Sequence, residues 1–361
     1  MNSLLAKNRT ERMTLLLIVV AAIIAATAIY INQTTLAPRD TKYVHEHIFG
    51  DARPFQQCHA SSLVQVSDDT FLAVWFGGTR EGHQDVAIWG AERHRGNWSA
   101  PHELSKVSDS PHWNPVLFKA PSGRVHLFFK VGDSPREWQT WTMSSSDGGD
   151  TWTEPRELVV GEPLSRGPVK NKPIVLSDGT WLAPASIERK DRWDVFVDRS
   201  EDRGLTWEST DLIPLDHSDF EGKGVIQPTL WESKPGHVHM LMRSTCGYVC
   251  RSDSTDYGRT WSPINKTDLP NNNSGLDVAK LEDGTLVLVY NPVSGDWAAR
   301  TPLSIAVSFD NGGTWTHYLD IETGPGEYSY PSVIPTSEGV AITYTWERER
   351  IAFWMGPIER E

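Results

Sequence analysis

Cysteine is scarce in this 361-residue chain: Cys58, Cys246 and Cys250 are its only three. That excludes a small scaffold held by a disulfide framework. Basic runs are missing too. Lys and Arg total 34 against 47 Asp and Glu, a formal net charge of −13 with both signs interspersed. Such a chain lacks the electrostatic footprint of a nucleic-acid binder, and no nucleic-acid partner is expected. No Cys/His cluster has zinc spacing and no His-Glu-x-x-His helix motif occurs, so no metal and no cofactor are expected. Beyond the N-terminal segment no window carries the period of an amphipathic helix.

Long uncharged apolar runs are limited to residues 13–31, 19 residues that just suffice to cross a bilayer. Lys7, Arg9 and Arg12 precede them, which keeps residues 1–12 cytoplasmic and exports the remainder of the chain. Ala26 and Ala28 also suit a signal-peptide cleavage site, but the run exceeds a usual signal core, and an uncleaved anchor is favoured. Either way the expectation is a membrane-associated protein whose main domain lies on the extracytoplasmic side. Residues 32–45 read as a linker and 46–361 as one domain. In an exported protein Cys246 and Cys250 either pair across a tight turn or stay as buried thiols. Asn97-Trp-Ser and Asn265-Lys-Thr are glycosylation sequons.

What the chain does have is repetition. Segments 145–152, 200–207, 254–261 and 308–315 all read S-x-D-x-G-x-T-W, and their tryptophans stand 55, 54 and 54 residues apart. One further step back reaches Trp98, in a degraded copy at 91–98. A fixed period of this size marks repeated supersecondary units. Short apolar runs such as 238–242 and 286–290, bounded by Asp-Gly turns, read as strands. About 320 residues divided by the 54-residue period give six units, each the size of a four-stranded propeller blade. The expected fold is all-β: a six-bladed β-propeller of four-stranded antiparallel blades, preceded by one transmembrane helix. The sixth blade would close with the C-terminal strands at 328–357 and a segment near 40–55, leaving no exposed sheet edge. The Asp and Gly of each motif suit a tight turn, and the Trp suits packing between sheets, so the motifs read as scaffold.

Each motif precedes the next blade's first strand, so it occupies the turn between third and fourth strands. The opposite face then collects first-strand starts and second-strand ends, which converge on the axis. First-strand starts offer His59, Asn114, Lys172, Gln227, Asp277 and Tyr328 or Tyr330. Second-strand ends and their loops offer Arg80, Glu81, His83, Asp85, Lys130, Glu188, Arg243, Arg300, Glu347 and Arg348. So many polar groups on one axis must pair with each other or with a ligand. Several cations at one end favour an anionic group such as a carboxylate.

The repeat and these residues resemble the sialidase (neuraminidase) superfamily, in its bacterial branch of aspartate-box (BNR) propellers. The resemblance implies three arginines that hold a substrate carboxylate, a tyrosine nucleophile polarised by a glutamate, and an aspartate acid/base. On that pattern Arg243 and Arg300 match two of the arginines, and Tyr328 resembles the nucleophile. Glu347 resembles the acid that orients an arginine, and Asp85 lies where the acid/base loop belongs, with Glu81 as competitor. Two departures stand out. His59 occupies the place of the first arginine, and Gln227 the place of the tyrosine's glutamate. The substrate-binding set is thus Arg80, Arg243, Arg300, Glu347, Asn114 and Lys172, and the catalytic set Tyr328, Asp85, Gln227 and His59.

The resemblance implies an exo-glycosidase that removes a terminal acidic sugar with retention. The departures leave two alternatives open. One is a polysaccharide lyase, or another enzyme cleaving uronate-linked glycans, using His59 and Tyr328. The other is a membrane-tethered propeller that binds acidic glycans without catalysis.

Overall fold

The computed structural model describes residues 43–162 and 165–360. The apolar run at 13–31, with the anchor and most of the linker, lies outside the described residues. Among the described residues no helix is long and apolar enough to cross a membrane.

Six antiparallel sheets follow one another along the chain and form a six-bladed β-propeller. Their innermost strands are Gln57–Ser67, His112–Lys119, Ile174–Val175, Val225–Lys234, Asp277–Lys280 and Tyr328–Thr336. These define blades 1 to 6. In blade 1 the outer edge is divided between two short strands, Asn97–Trp98 and His102–Ser105. Blade 6 closes the ring as the period implies: Val44–His47 supplies the outermost strand beside Arg350–Gly356, with Val44 opposite Met355 and His47 opposite Ala352.

Blades pack face against face, so their middle strands are buried on both sides and read as continuous apolar runs instead of alternating ones. Leu286–Tyr290 is buried throughout for that reason. The four motifs turn between third and fourth strands, in one geometry. The Ser hydroxyl accepts the Gly amide at 2.8, 2.7, 2.9 and 2.8 Å (Ser145, Ser200, Ser254, Ser308). The Asp carboxylate accepts the Thr amide at 2.9 Å in the first three and 2.8 Å in the fourth. The motif tryptophans join the clusters between blades, Trp207 beneath Trp181 and Phe128 among them. All three cysteines are free thiols; the Cys246 and Cys250 sulfurs lie 3.9 Å apart without a bond.

One irregularity recurs near the axis. The first strands of blades 1, 2, 4 and 6 each carry a register shift just after their start, between His59 and Ser62, Trp113 and Val116, Ile226 and Thr229, and Ser329 and Ser332. Within these bulges Ala60, Asn114, Gln227 and Tyr330 adopt positive φ, between 41° and 55°. A bulge re-aims one side chain out of the strand's alternation. Non-glycine residues at positive φ are uncommon and concentrate where the surrounding structure enforces them.

Candidate active site on the propeller axis

Tyr330 is the centre of the axial cluster. Its phenol oxygen accepts a hydrogen bond from Arg243 Nη1 at 2.6 Å and faces Gln227 Nε2 at 3.4 Å. Arg243 Nη1 also donates to Gln227 Oε1 at 3.1 Å, which orients that amide. Arg243 Nε donates to Asn273 Oδ1 at 2.9 Å, and Asn273 is braced by Asp296 at 2.7 Å. The Arg243 and Arg300 guanidinium carbons both lie 5.6 Å from the Tyr330 ring centre. Trp297, 64% exposed and at φ 57°, covers the same two cations at 5.8 and 6.0 Å. The two arginines thus lie close to two aromatic faces that attract positive charge.

A third arginine joins them. Glu327 Oε1 accepts from Arg300 Nη1 and from Arg348 Nε, each at 2.7 Å, and ties both cations to one oxygen. Arg348 Nη1 reaches Glu81 across to blade 1. His59 packs against Tyr330 with ring centres 4.2 Å apart and planes tilted by 48°, and its Nδ1 meets Thr345 Oγ1 at 2.9 Å. Burial holds the His59 imidazole well below its ordinary pKa, helped by Arg348, Arg300, Arg243 and Lys170, so it is neutral at physiological pH. Below the ring, a Cβ at Gly275 would stand 3.2 Å from Lys170 Cε and 3.3 Å from Tyr330. A side chain at 275 would push Lys170 or the ring back by a few tenths of an ångström. The Lys170 ammonium is bound by Asn171 Oδ1 at 2.8 Å and by the carbonyl of Pro331, and burial pulls its pKa to about 7.

Glu188 is a carboxyl of this face with no hydrogen-bond partner among the described residues. Burial raises its pKa, against the pull of nearby Arg243, and Glu81 adds like charge. A carboxyl in such a setting keeps its proton longer than an ordinary one.

Among the expected site residues, the structure brings Arg243, Arg300, Gln227 and His59 together. Tyr328 is not with them. It packs between blades 5 and 6 with its hydroxyl toward the Pro325 carbonyl at 3.5 Å and its ring 6.3 Å from Trp346, and Tyr330 holds the axial place. Asp85 is engaged in its own turn, accepting from Thr79 N at 3.0 Å, Thr79 Oγ1 at 2.6 Å and His83 Nδ1 at 2.7 Å. Slight burial raises its pKa, but these hydrogen bonds outweigh it and lower the value overall. That makes Asp85 a poor proton donor. Lys172 is paired with Asp277 at 2.8 Å, and Asp277 also binds Thr229 and Val333 N, so this group stitches blades 3, 4, 5 and 6 instead of facing a ligand. Glu347 turns toward Gly326 and Tyr328, and Glu327 orients the arginines in its place. Arg80 is exposed and lines a narrow crevice with His59, Glu81 and Arg348. Asn114 is buried at the bulge of blade 2. Among the described residues no group of His, Cys, Asp and Glu could hold a metal ion.

Sequence and structure comparisons agree with this architecture. Residues 69–342 match the family model of the BNR repeat-like domain. A sialidase of Micromonospora viridifaciens is 25% identical over 232 residues, covering 61% of this chain but only 34% of that protein. The chain therefore spans about a third of that relative. A protein of unknown function from Dyadobacter fermentans has a similar structure, with TM-score 0.70 and 15% identity, covering 87% of this chain and 98% of its own. NanB sialidase from Streptococcus pneumoniae, as its K499G mutant, gives 0.67 at 14% identity over 90% and 71% of the two chains. Trypanosoma rangeli sialidase in complex with the inhibitor DANA gives 0.68 at 14% over 88% and 60%. These identities speak for a shared fold. With its match across most of the propeller, this chain belongs to the BNR repeat-like domain family, within the sialidase superfamily.

Proposed function

We propose that the protein is a retaining exo-glycosidase that removes a terminal acidic sugar, sialic acid or a related nonulosonate, from glycans. The observation that carries this reading is the convergence of Arg243 and Arg300 on Tyr330, with Arg348 joined to Arg300 through Glu327. Glu327 and Glu81 serve Arg300 and Arg348, whereas Arg243 is bonded only to neutral groups, so the cluster keeps capacity for one more anion, and a carboxylate fits its forks.

The chemistry follows from the charges. The substrate carboxylate takes the Arg243 bond that Tyr330 accepts in the free protein. A phenol suits attack beside that carboxylate, because an anionic nucleophile would be repelled. Tyr330 Oη bonds to the anomeric carbon, and the bond from that carbon to the leaving oxygen breaks. Glu188 supplies the leaving oxygen's proton, a role for which its raised pKa suits it. The phenolic proton passes to His59. Burial is the main cause of its low basicity, and a bound carboxylate would offset the second cause, the neighbouring arginines. Water then hydrolyses the glycosyl-tyrosine with Glu188 as base. Gln227 cannot take a proton; it holds Arg243 and points its amide N–H at the phenol oxygen.

The test is turnover of a fluorogenic sialoside by the full chain and two variants. Tyr330→Phe should abolish release, and Tyr328→Phe should retain most of it. Undiminished release by Tyr330→Phe would refute the mechanism.

One feature favours a second reading. His59 packed against Tyr330, with Gln227 in place of an acid, also suits a base and acid pair for β-elimination from a uronate. That enzyme would release an unsaturated, ultraviolet-absorbing product and would leave the sialoside intact.

A further inference from the structure

One concavity lies away from the axial site. It is a groove of about 810 Å³ between blades 2 and 3, on the face that carries the repeat motifs. Its floor is aromatic. Trp181 meets Phe118 edge-on at 4.8 Å and His126 at 5.3 Å, with Phe128 alongside.

Its rim is cationic. Arg124, Arg156 and Arg203 line it, and none has a carboxylate partner among the described residues. Arg124 donates to Ser144 Oγ at 3.1 Å, and Arg156 makes one long bond to the Glu157 carbonyl at 3.5 Å. Arg203 stands at φ 63° in the motif turn of blade 3. The one acidic residue in the lining, Asp202, has both oxygens taken by Ser200 and Thr206. Burial, with Arg124 and Arg156 next in effect, lowers the pKa of His126 to about 4, so that ring is neutral and both arginines bear on it.

Three unneutralised guanidinium groups around one concavity are out of keeping with a chain of net charge −13. They select an anion. A concavity of about 810 Å³ has room for several sugar rings and is out of scale for a small ion. An anionic bilayer is a worse fit, because the cations rim a concavity and the molecule as a whole repels negative surfaces.

We infer that this groove is a second glycan-binding site, which holds an acidic oligosaccharide by its carboxylates on the face opposite the axial cluster. It is independent of the catalytic reading and would serve a hydrolase, a lyase or a binder alike, by keeping the protein on its polymer.

The experiment is calorimetric titration of the full chain with hexagalacturonate, and with maltohexaose as the neutral control. It is run on Tyr330→Phe and on Tyr330→Phe carrying Arg124→Ser and Arg203→Asn; asparagine tolerates the positive φ at 203. Hexagalacturonate should bind at least about tenfold tighter than maltohexaose, and loss of two charged donors should weaken it by about tenfold or more. Separately, the Arg124→Ser/Arg203→Asn pair in the otherwise unaltered chain should leave both thermal stability and sialoside turnover unchanged. Equal affinity for the two hexamers, or affinity untouched by the arginine changes, overturns the inference. So does binding to phosphatidylserine vesicles with none to hexagalacturonate. Failure of the axial mechanism shows in sialoside turnover alone and leaves this titration unaffected.

Discussion

His112 gives the sharpest quantitative prediction. It has no exposed surface, and each ring nitrogen has a fixed partner. Nε2 accepts the Val107 amide at 2.9 Å, so Nδ1 carries the proton and donates to the Ser110 carbonyl at 2.9 Å. A second proton would set two N–H groups against each other. Burial is the main reason its pKa falls from 6.5 to about 4, with Lys106 adding to it. The depressed value means that the unfolded chain binds the proton first. The stability concerned is present above pH 6.5 and is lost as pH falls toward 4. Between pH 7.5 and 5.0 the linkage relation gives a loss of about 2 kcal/mol from this residue alone. His112→Gln preserves one donor and one acceptor and removes the titration. Urea unfolding at both pH values should show the parent losing about 2 kcal/mol more than the variant over that interval. His126, also held near 4, titrates in both and cancels. Parallel losses in parent and variant would refute the reasoning.

Asp277→Asn should destabilise the fold by about 3 kcal/mol in the same assay, because it leaves Lys172 beside an uncharged group on the axis. Glu188→Gln should lower turnover of a natural glycoside about a hundredfold, yet spare a substrate whose leaving group needs no proton; equal losses on both would remove Glu188 as the acid. Asp202→Asn should lower the thermal midpoint at neutral pH. That deficit should vanish as the pH drops from about 4 to about 2, since hydrogen bonds from Thr206 hold the parent carboxylate near 2.

The ring was readable because its repeat is a turn requirement repeated at constant spacing. Ser, Asp and Gly recur where the third strand reverses in blades 2 to 5, and each contributes a bond that the motif's chemistry prescribes. The axial residues were harder, and Tyr328 against Tyr330 shows why. Residues two apart on a strand share a face, so alternation cannot choose between them. The bulge between Ser329 and Ser332 decides, and it re-aims Tyr330. A signal was present: Tyr330-Pro331 matches Gln227-Pro228 and Asn114-Pro115, which take the same positive-φ position in their blades. Lys172-Pro173 shares the dipeptide without the positive φ, which is why its sequence groups Lys172 with the others although its side chain serves the scaffold. Arg348 was among the axial candidates, but its place beside Arg300 was not readable, because 347 and 348 are consecutive positive-φ residues in a turn whose direction a strand rule does not describe. Lys170 and Glu188 owe their character to burial in three dimensions, which no local pattern encodes.

The pairing of Val44–His47 with Arg350–Gly356 has a mechanical corollary. A pull entering the chain ahead of Val44 meets a perimeter strand whose neighbour lies some three hundred positions later in the chain. Tension along that strand loads its rungs together as a shear, whereas tension across it would open them one at a time. Rupture there would free blade 6's outer margin while the Arg243–Tyr330 contact near the axis, remote from that edge, still holds.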